Sequence, residues 1–184
     1  MGKKQKKTNV MRILDQKKIP YTAKEYPHEE GVAVDGMTVA QKKIAYIPHA
    51  YDPDGPIDGV SVARTLGQDP ACVFKTLVTR GASGEYYVFD IPVAAELDLK
   101  KAAKAVGEKN VAMLHVAELL PLTGYVRGGC SPVGMKKPFF TTFHESATQY
   151  DVIAVSAGKI GEQVILSPQA LCDLVDGQFA DVIK

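Results

Sequence analysis

Near the N-terminus Val10, Ile13 and Leu14 fall on one face at helical spacing. Thr8 or Asn9 stands where a capping side chain is needed, Lys17-Lys18 close the run, and Pro20 stops it. Residues 21–26 alternate loosely and predict a short strand. A helix is predicted over 58–66, with Gly67 as its stop. Two strand patterns, 72–80 and 85–91, flank Gly81-Ala82-Ser83-Gly84 and form an antiparallel hairpin signal. Asp98 caps a helix over 99–106 that Gly107 ends. A short strand over 111–114 and a helical piece over 116–120 follow, the latter broken by Pro121. Strands are expected at 139–143, 151–156 and 163–166. Ser167-Pro168 then sets a cap and a proline at the first helical position of a last helix reaching about Val175. Many strands interspersed with short helices indicate an α+β chain, helices around a mixed, curved sheet.

Residues 32–58 change character. Five of them are Gly or Pro, Tyr and His are frequent, no period holds, and only 38–45 suggests a short strand or helix. A length of 184 residues implies one domain with chain enough for a substantial core. No apolar run approaches the ~18 residues a membrane span needs, and no secretory signal pattern opens the chain. Cys72, Cys130 and Cys172 are few, odd in number and widely spaced, which argues against a disulfide framework and for a reducing cytoplasm. The net charge of +1 demands no nucleic acid partner. Its distribution is less even: Lys3, Lys4, Lys6 and Lys7 form a basic arm over residues 1–8, and Lys100, Lys101, Lys104 and Lys109 form a second cluster. Either is a solvated face or a phosphate contact.

Two stretches carry candidate chemistry. Residues 124–134 read Gly-Tyr-Val-Arg-Gly-Gly-Cys-Ser-Pro-Val-Gly, with Lys136 and Lys137 close behind. Paired glycines beside cations suit a loop whose amides face a negative or polar group, or a tight surface turn. It is neither a dinucleotide fingerprint nor a phosphate-binding Walker loop. In the strand over 72–80, Val73, Lys75 and Leu77 share one face and Phe74, Thr76 and Val78 the other. Both faces are largely apolar, so Lys75 projects into the interior or a cleft, unless it snorkels to an edge. No CxxC, HxH or HExxH pattern holds a metal, and no GxSxG elbow is present. Cys130 sits among glycines near Arg127, but a thiol nucleophile needs a base, and none of His28, His49, His115 and His144 is placed beside it by the sequence.

The glycine loop resembles the signature loop of the YbaK/EbsC family of free-standing aminoacyl-tRNA deacylases, which are similar to the editing domain inserted in bacterial prolyl-tRNA synthetases. Val73-Phe74-Lys75-Thr76-Leu77, Leu99-Lys100-Lys101-Ala102-Ala103-Lys104 and Val155-Ser156-Ala157-Gly158-Lys159 agree in the same order. The likeness covers the chain from Asn9 onward except roughly 32–58, which looks like an insertion of roughly twenty residues relative to compact members. The resemblance implies a single α+β domain over 9–184 with a barrel-like core, and removal of a wrong amino acid from tRNA, foremost Cys-tRNA(Pro). It assigns the main role to Lys75, a pocket tyrosine to Tyr26 and a pocket border to Ser156. Backbone amides at Gly128 and Gly129 become candidate oxyanion donors, and Arg127 and Ser131 candidate substrate contacts. It implies substrate assistance in place of a protein base, no cofactor, the acceptor end of mischarged tRNA as partner, and a prolyl-tRNA synthetase as a candidate second partner; neither DNA nor a membrane is expected. In the insertion, Tyr46, His49 and Tyr51 are candidates to stack on unpaired bases, and Lys42 and Lys43 to meet phosphates; the equal alternative is a solvent-exposed loop particular to the chain. Two alternatives stay open: a non-catalytic module that binds aminoacyl-tRNA or a synthetase, and a thiol-dependent small hydrolase using Cys130.

Overall fold

The computed structural model describes residues 6–26 and 59–184. The proposed insertion at 32–58, with Tyr46, His49, Tyr51, Lys42 and Lys43, lies outside the described residues, as do Lys3 and Lys4 of the basic arm. Helix α1, Asn9–Gln16, takes Thr8 as its cap, whose side chain accepts the Met11 amide. Val10, Met11 and Leu14 bury its apolar face. Strand β1, Thr22–Glu25, follows. Helix α2, Gly59–Thr65, and a turn of 3-10 helix over Pro70–Cys72 lead into the hairpin of β2, Phe74–Gly81, and β3, Tyr86–Pro92. Helix α3, Leu99–Val106, is capped by Asp98, whose carboxylate accepts the Lys100 and Lys101 amides, and ends at Gly107. Strand β4 is Val111–Met113.

Helix α4, Val116–Thr123, runs past the expected break and carries Pro121 inside it. A proline there removes a single donor from the ladder. The helix resumes beyond it, with the Gly124 amide on the Leu120 carbonyl at 2.9 Å and the Thr123 hydroxyl on the Leu119 carbonyl at 2.7 Å. Strands β5, Phe140–His144, β6, Ile153–Ser156, and β7, Glu162–Leu166, follow, then α5, Pro168–Leu174, capped by Ser167. A last strand, β8, Gln178–Ala180, pairs in parallel with β5. It was not anticipated: three residues carry no alternation, and their partner lies far back along the chain.

The class is α+β, as expected, but the strands divide between two sheets and close no barrel among the described residues. One sheet orders β1-β7-β6 and the other β4-β2-β3-β5-β8. An isolated parallel bridge between Val73 and Ala154 joins them. Alternation along β2 sorts the core into faces. Phe74 and Val78 enter the main cluster with α1, the glycine loop and the inner side of β6 and β7. Leu77 packs with Phe89, Ile91, Ala102, Ala103 and Val111 under α3. Val73 meets Ala63, Val93 and Ala154 in a small cluster beneath α2.

Candidate functional site

The bridge between Val73 and Ala154 sets the geometry of the site. Paired residues on neighbouring strands present side chains to the same face, and a step of two residues returns to it. Because the bridge is parallel, that step carries Lys75 on β2 and Ser156 on β6 to one side together. Ser156 pairs with Gln163, and Gln163 with Lys24. The same alternation brings Tyr26 to the face of Lys24, and its backbone amide donates to the Gly161 carbonyl at 2.8 Å. Lys75, Ser156, Gln163 and Tyr26 therefore share the side on which α2 packs.

Lys75 is half-buried, and its ammonium donates to the Val93 carbonyl at 3.1 Å. A carbonyl satisfies one of its three donors without neutralising it. Glu96 lies near enough for the Lys75 charge to help hold its carboxyl below the usual range, though the larger cause is the hydrogen bond and charge of Lys184. A Cβ on Gly59 at the start of α2 would meet Val93 Cγ1 at 2.5 Å, so α2 begins directly against the residue that anchors Lys75. Tyr26 is buried, and desolvation pushes its phenol up, partly offset by the Gly161 amide. The Ser156 hydroxyl accepts the Gly158 amide at 3.1 Å, bracing the turn that leaves β6.

The glycine loop reaches this site from behind that turn. Gly128 holds φ +85°, a conformation side chains rarely adopt. Gly129 has no such φ; its requirement is space. A Cβ there would lie 3.0 Å from the Ile160 nitrogen and 3.2 Å from the Lys159 carbonyl carbon. The Gly129 amide donates to Val126 at 3.0 Å and is spent inside the loop, whereas the Gly128 amide meets no acceptor among the described residues. Arg127 is exposed at the loop tip. Ser131 is fully buried, and its hydroxyl accepts the Val133 amide at 3.3 Å, so it braces the loop from within.

Cys130 also turns inward. Burial, then the neighbouring Asp90, pushes its thiol up to about 12. The thiolate is the reactive form, so this setting suppresses nucleophilic chemistry. Asp90 has no exposure, accepts the Thr76 hydroxyl at 2.6 Å on one oxygen, and leaves its other oxygen without a partner among the described residues. Burial raises its carboxyl to about 7. Gln163 likewise has a buried side-chain oxygen without such a partner. Neither residue stood out in the sequence. The available signal for Asp90 was a lone acid inside Val-Phe-Asp-Ile; Gln163 gave none, because its importance comes from lying between Lys24 and Ser156 in register.

Residues 58–174 match the aminoacyl-tRNA editing domain. Over 180 residues the chain is 44% identical to EbsC of Enterococcus faecalis (strain ATCC 700802 / V583), a protein named for deacylation of Cys-tRNA(Pro) and Cys-tRNA(Cys). That match covers 98% of this chain and 95% of EbsC, and so runs across 32–58. A crystal structure described as a trans-editing enzyme for prolyl tRNA synthetase is 27% identical, with a TM-score of 0.64 over 72% of this chain and 83% of its own. A scaffold protein used for epitope grafting, 22% identical, superposes with a TM-score of 0.71 over 95% of this chain and 94% of its own, which shows the fold alone.

Proposed function

Because the chain belongs to the aminoacyl-tRNA editing domain family, we propose that it hydrolyses the ester joining a wrong amino acid to tRNA, with Cys-tRNA(Pro) as its substrate. The observation that carries this reading is the convergence of Lys75 and Ser156 on one face, with the glycine loop, whose Gly128 amide meets no acceptor among the described residues, packed against the turn that leaves β6. The substrate assignment follows the name of EbsC and the description of the trans-editing structure. A synthetase pocket that accepts proline rejects side chains of similar size poorly, because a methylene is worth only ~1–3 kcal/mol. A second site that hydrolyses the wrong ester restores accuracy.

In the reaction a nucleophile adds to the aminoacyl carbonyl carbon and the bond to the ribose oxygen breaks. That oxygen takes up a proton, leaving uncharged tRNA; with water as the nucleophile the other product is the free amino acid, and with the substrate's own thiol it is a four-membered cyclic thioester that water then opens to the free amino acid. Negative charge develops on the carbonyl oxygen, where the Gly128 amide serves as donor; one such donor is typically worth ~2.7–4 kcal/mol. Lys75 supplies the fixed cation that holds the substrate's carbonyl or terminal phosphate. Tyr26 and Ser156 border the amino acid, and Arg127 at the loop tip meets the nucleotide end. The nucleophile comes from the substrate's side, as its own thiol or as a water held by the ribose hydroxyl. The high pKa of Cys130 weighs against a protein thiol.

A deacylation panel of Cys-, Ala-, Ser- and Pro-tRNA(Pro) tests the proposal. The expected result is rapid turnover of Cys-tRNA(Pro) with Pro-tRNA(Pro) spared. Sparing of Ala- and Ser-tRNA(Pro) as well assigns attack to the substrate thiol, whereas their hydrolysis assigns it to water. Tight binding with no turnover of any of the four esters would make the chain a binding module instead.

A further inference from the structure

We propose that the groove between α3 and β4 is a second contact surface for the substrate, docking the phosphodiester backbone of tRNA at a distance from the ester. The inference rests on the reading above for the identity of the polyanion.

The groove has a volume of about 380 Å³ and is floored by Leu99, Ala103 and Val111, with Lys100, Lys104 and Lys109 around it. Lys100 and Lys104 are four apart on α3 and so rise from one side of the helix. All three lysines are exposed, and none forms an ion pair within 4 Å among the described residues, although the Lys100 charge adds to the Lys101 amide in lowering the Asp98 carboxyl. Their neighbours differ. Lys101 is committed to Asp181 and to the Ile183 carbonyl, both at 2.8 Å. The acids nearby are spent as well: Asp98 caps α3, and Glu96 is paired with Lys184. Glu108, which lines the groove, is held by the Ser83 hydroxyl and amide and by the Tyr87 hydroxyl. Neutral donors leave Glu108 its charge, so three lysines face one carboxylate around the groove and the balance is positive.

Its position suits an extended substrate. Ala103 and Val111 pack with Leu77, whose side chain leaves β2 on the same face as Lys75. Strand β4 pairs with Thr79, Arg80 and Gly81 at the far end of β2. From Lys75 to Gly81 the strand advances by six residues, roughly 20 Å at ~3.3 Å each. An aminoacyl-adenosine held at Lys75 is too short to cover that span. The acceptor end of tRNA, with the duplex behind it, continues in phosphates along the same face.

The test compares binding of uncharged tRNA(Pro) by the wild type, by a triple variant Lys100→Gln, Lys104→Gln, Lys109→Gln, and by a control Lys17→Gln, Lys18→Gln on the opposite end of the chain. Glutamine keeps helix propensity and removes only the charge. At ~50 mM salt the triple variant is expected to bind at least ~10-fold more weakly, with a log–log salt slope shallower by ~2–3, while the control matches the wild type. The kcat/KM for Cys-tRNA(Pro) falls in parallel, and that for a minimal cysteinyl-adenosine ester stays within about twofold. Equal affinity and slope for wild type and triple variant overturn the proposal, as does an equal loss in the control. If the wild type hydrolyses neither ester, the enzymatic reading fails, and the binding comparison still decides the docking surface.

Discussion

Lys75 is a cation whose ammonium donates to a neutral carbonyl, that of Val93, just past the end of β3. A carbonyl does not neutralise an ammonium, so a half-buried lysine held this way keeps its charge. Replacing it with methionine retains the stem packed along β2 and removes only the charge. Lys75→Met is expected to lower kcat/KM for Cys-tRNA(Pro) by ~100-fold, in line with losing one preorganised electrostatic contact. Its urea midpoint should move by no more than one hydrogen bond is worth, about 1 kcal/mol. Turnover equal to wild type would remove Lys75 from the site. This residue was legible in the sequence because a lysine in a strand apolar on both faces has few places to go. Gly129 was legible only as half of a pair. The division of labour, positive φ at Gly128 and close approach at Gly129, depends on a turn thirty residues downstream.

At the scale of elements, the glycine loop and the β6–β7 turn act as one unit. The contact of Gly129 with the backbone of Lys159 and Ile160 holds the loop against the turn that begins at Ser156. Backbone atoms yield less readily than side-chain ends, so Gly129→Val must push the two apart. We expect a stability loss of ~1–3 kcal/mol, typical of overpacking, and a fall in kcat/KM that exceeds the loss of folded protein. Specific activity normalised to the folded fraction from a denaturant melt reads the difference; if it equals wild type, the loop is a structural turn. Elements specified locally were the ones readable from sequence: α3 has its cap at Asp98 and its stop at Gly107, and α5 opens at Ser167-Pro168. The extension of α4 past Pro121 and the existence of β8 depend on bonds to Lys136 and to β5, supplied by distant parts of the chain.

At the scale of the whole molecule, the two sheets meet at one parallel bridge, and β2 and β3 carry core on both faces. Asp90 lies in that shared layer with a single hydrogen bond among the described residues, from Thr76, and its carboxyl rises from 3.8 to about 7. Between those values the folded chain keeps a proton that the unfolded chain releases. Its favourable contribution is therefore fully present below pH ~4 and is lost as the pH rises through about 7. Integrated from pH 5 to pH 8, the loss is roughly 3 kcal/mol of global stability. Asp90→Asn keeps the shape, cannot ionise, and should leave stability from this position flat across the same range. The expected result is a wild-type chain that loses stability to urea between pH 5 and pH 8, and a variant that loses less by roughly that amount. Parallel pH profiles for the two proteins would mean that Asp90 finds a partner for its second oxygen and is ionised throughout. The measurement needs no substrate, so it tests the buried layer between the sheets independently of the reaction on its surface.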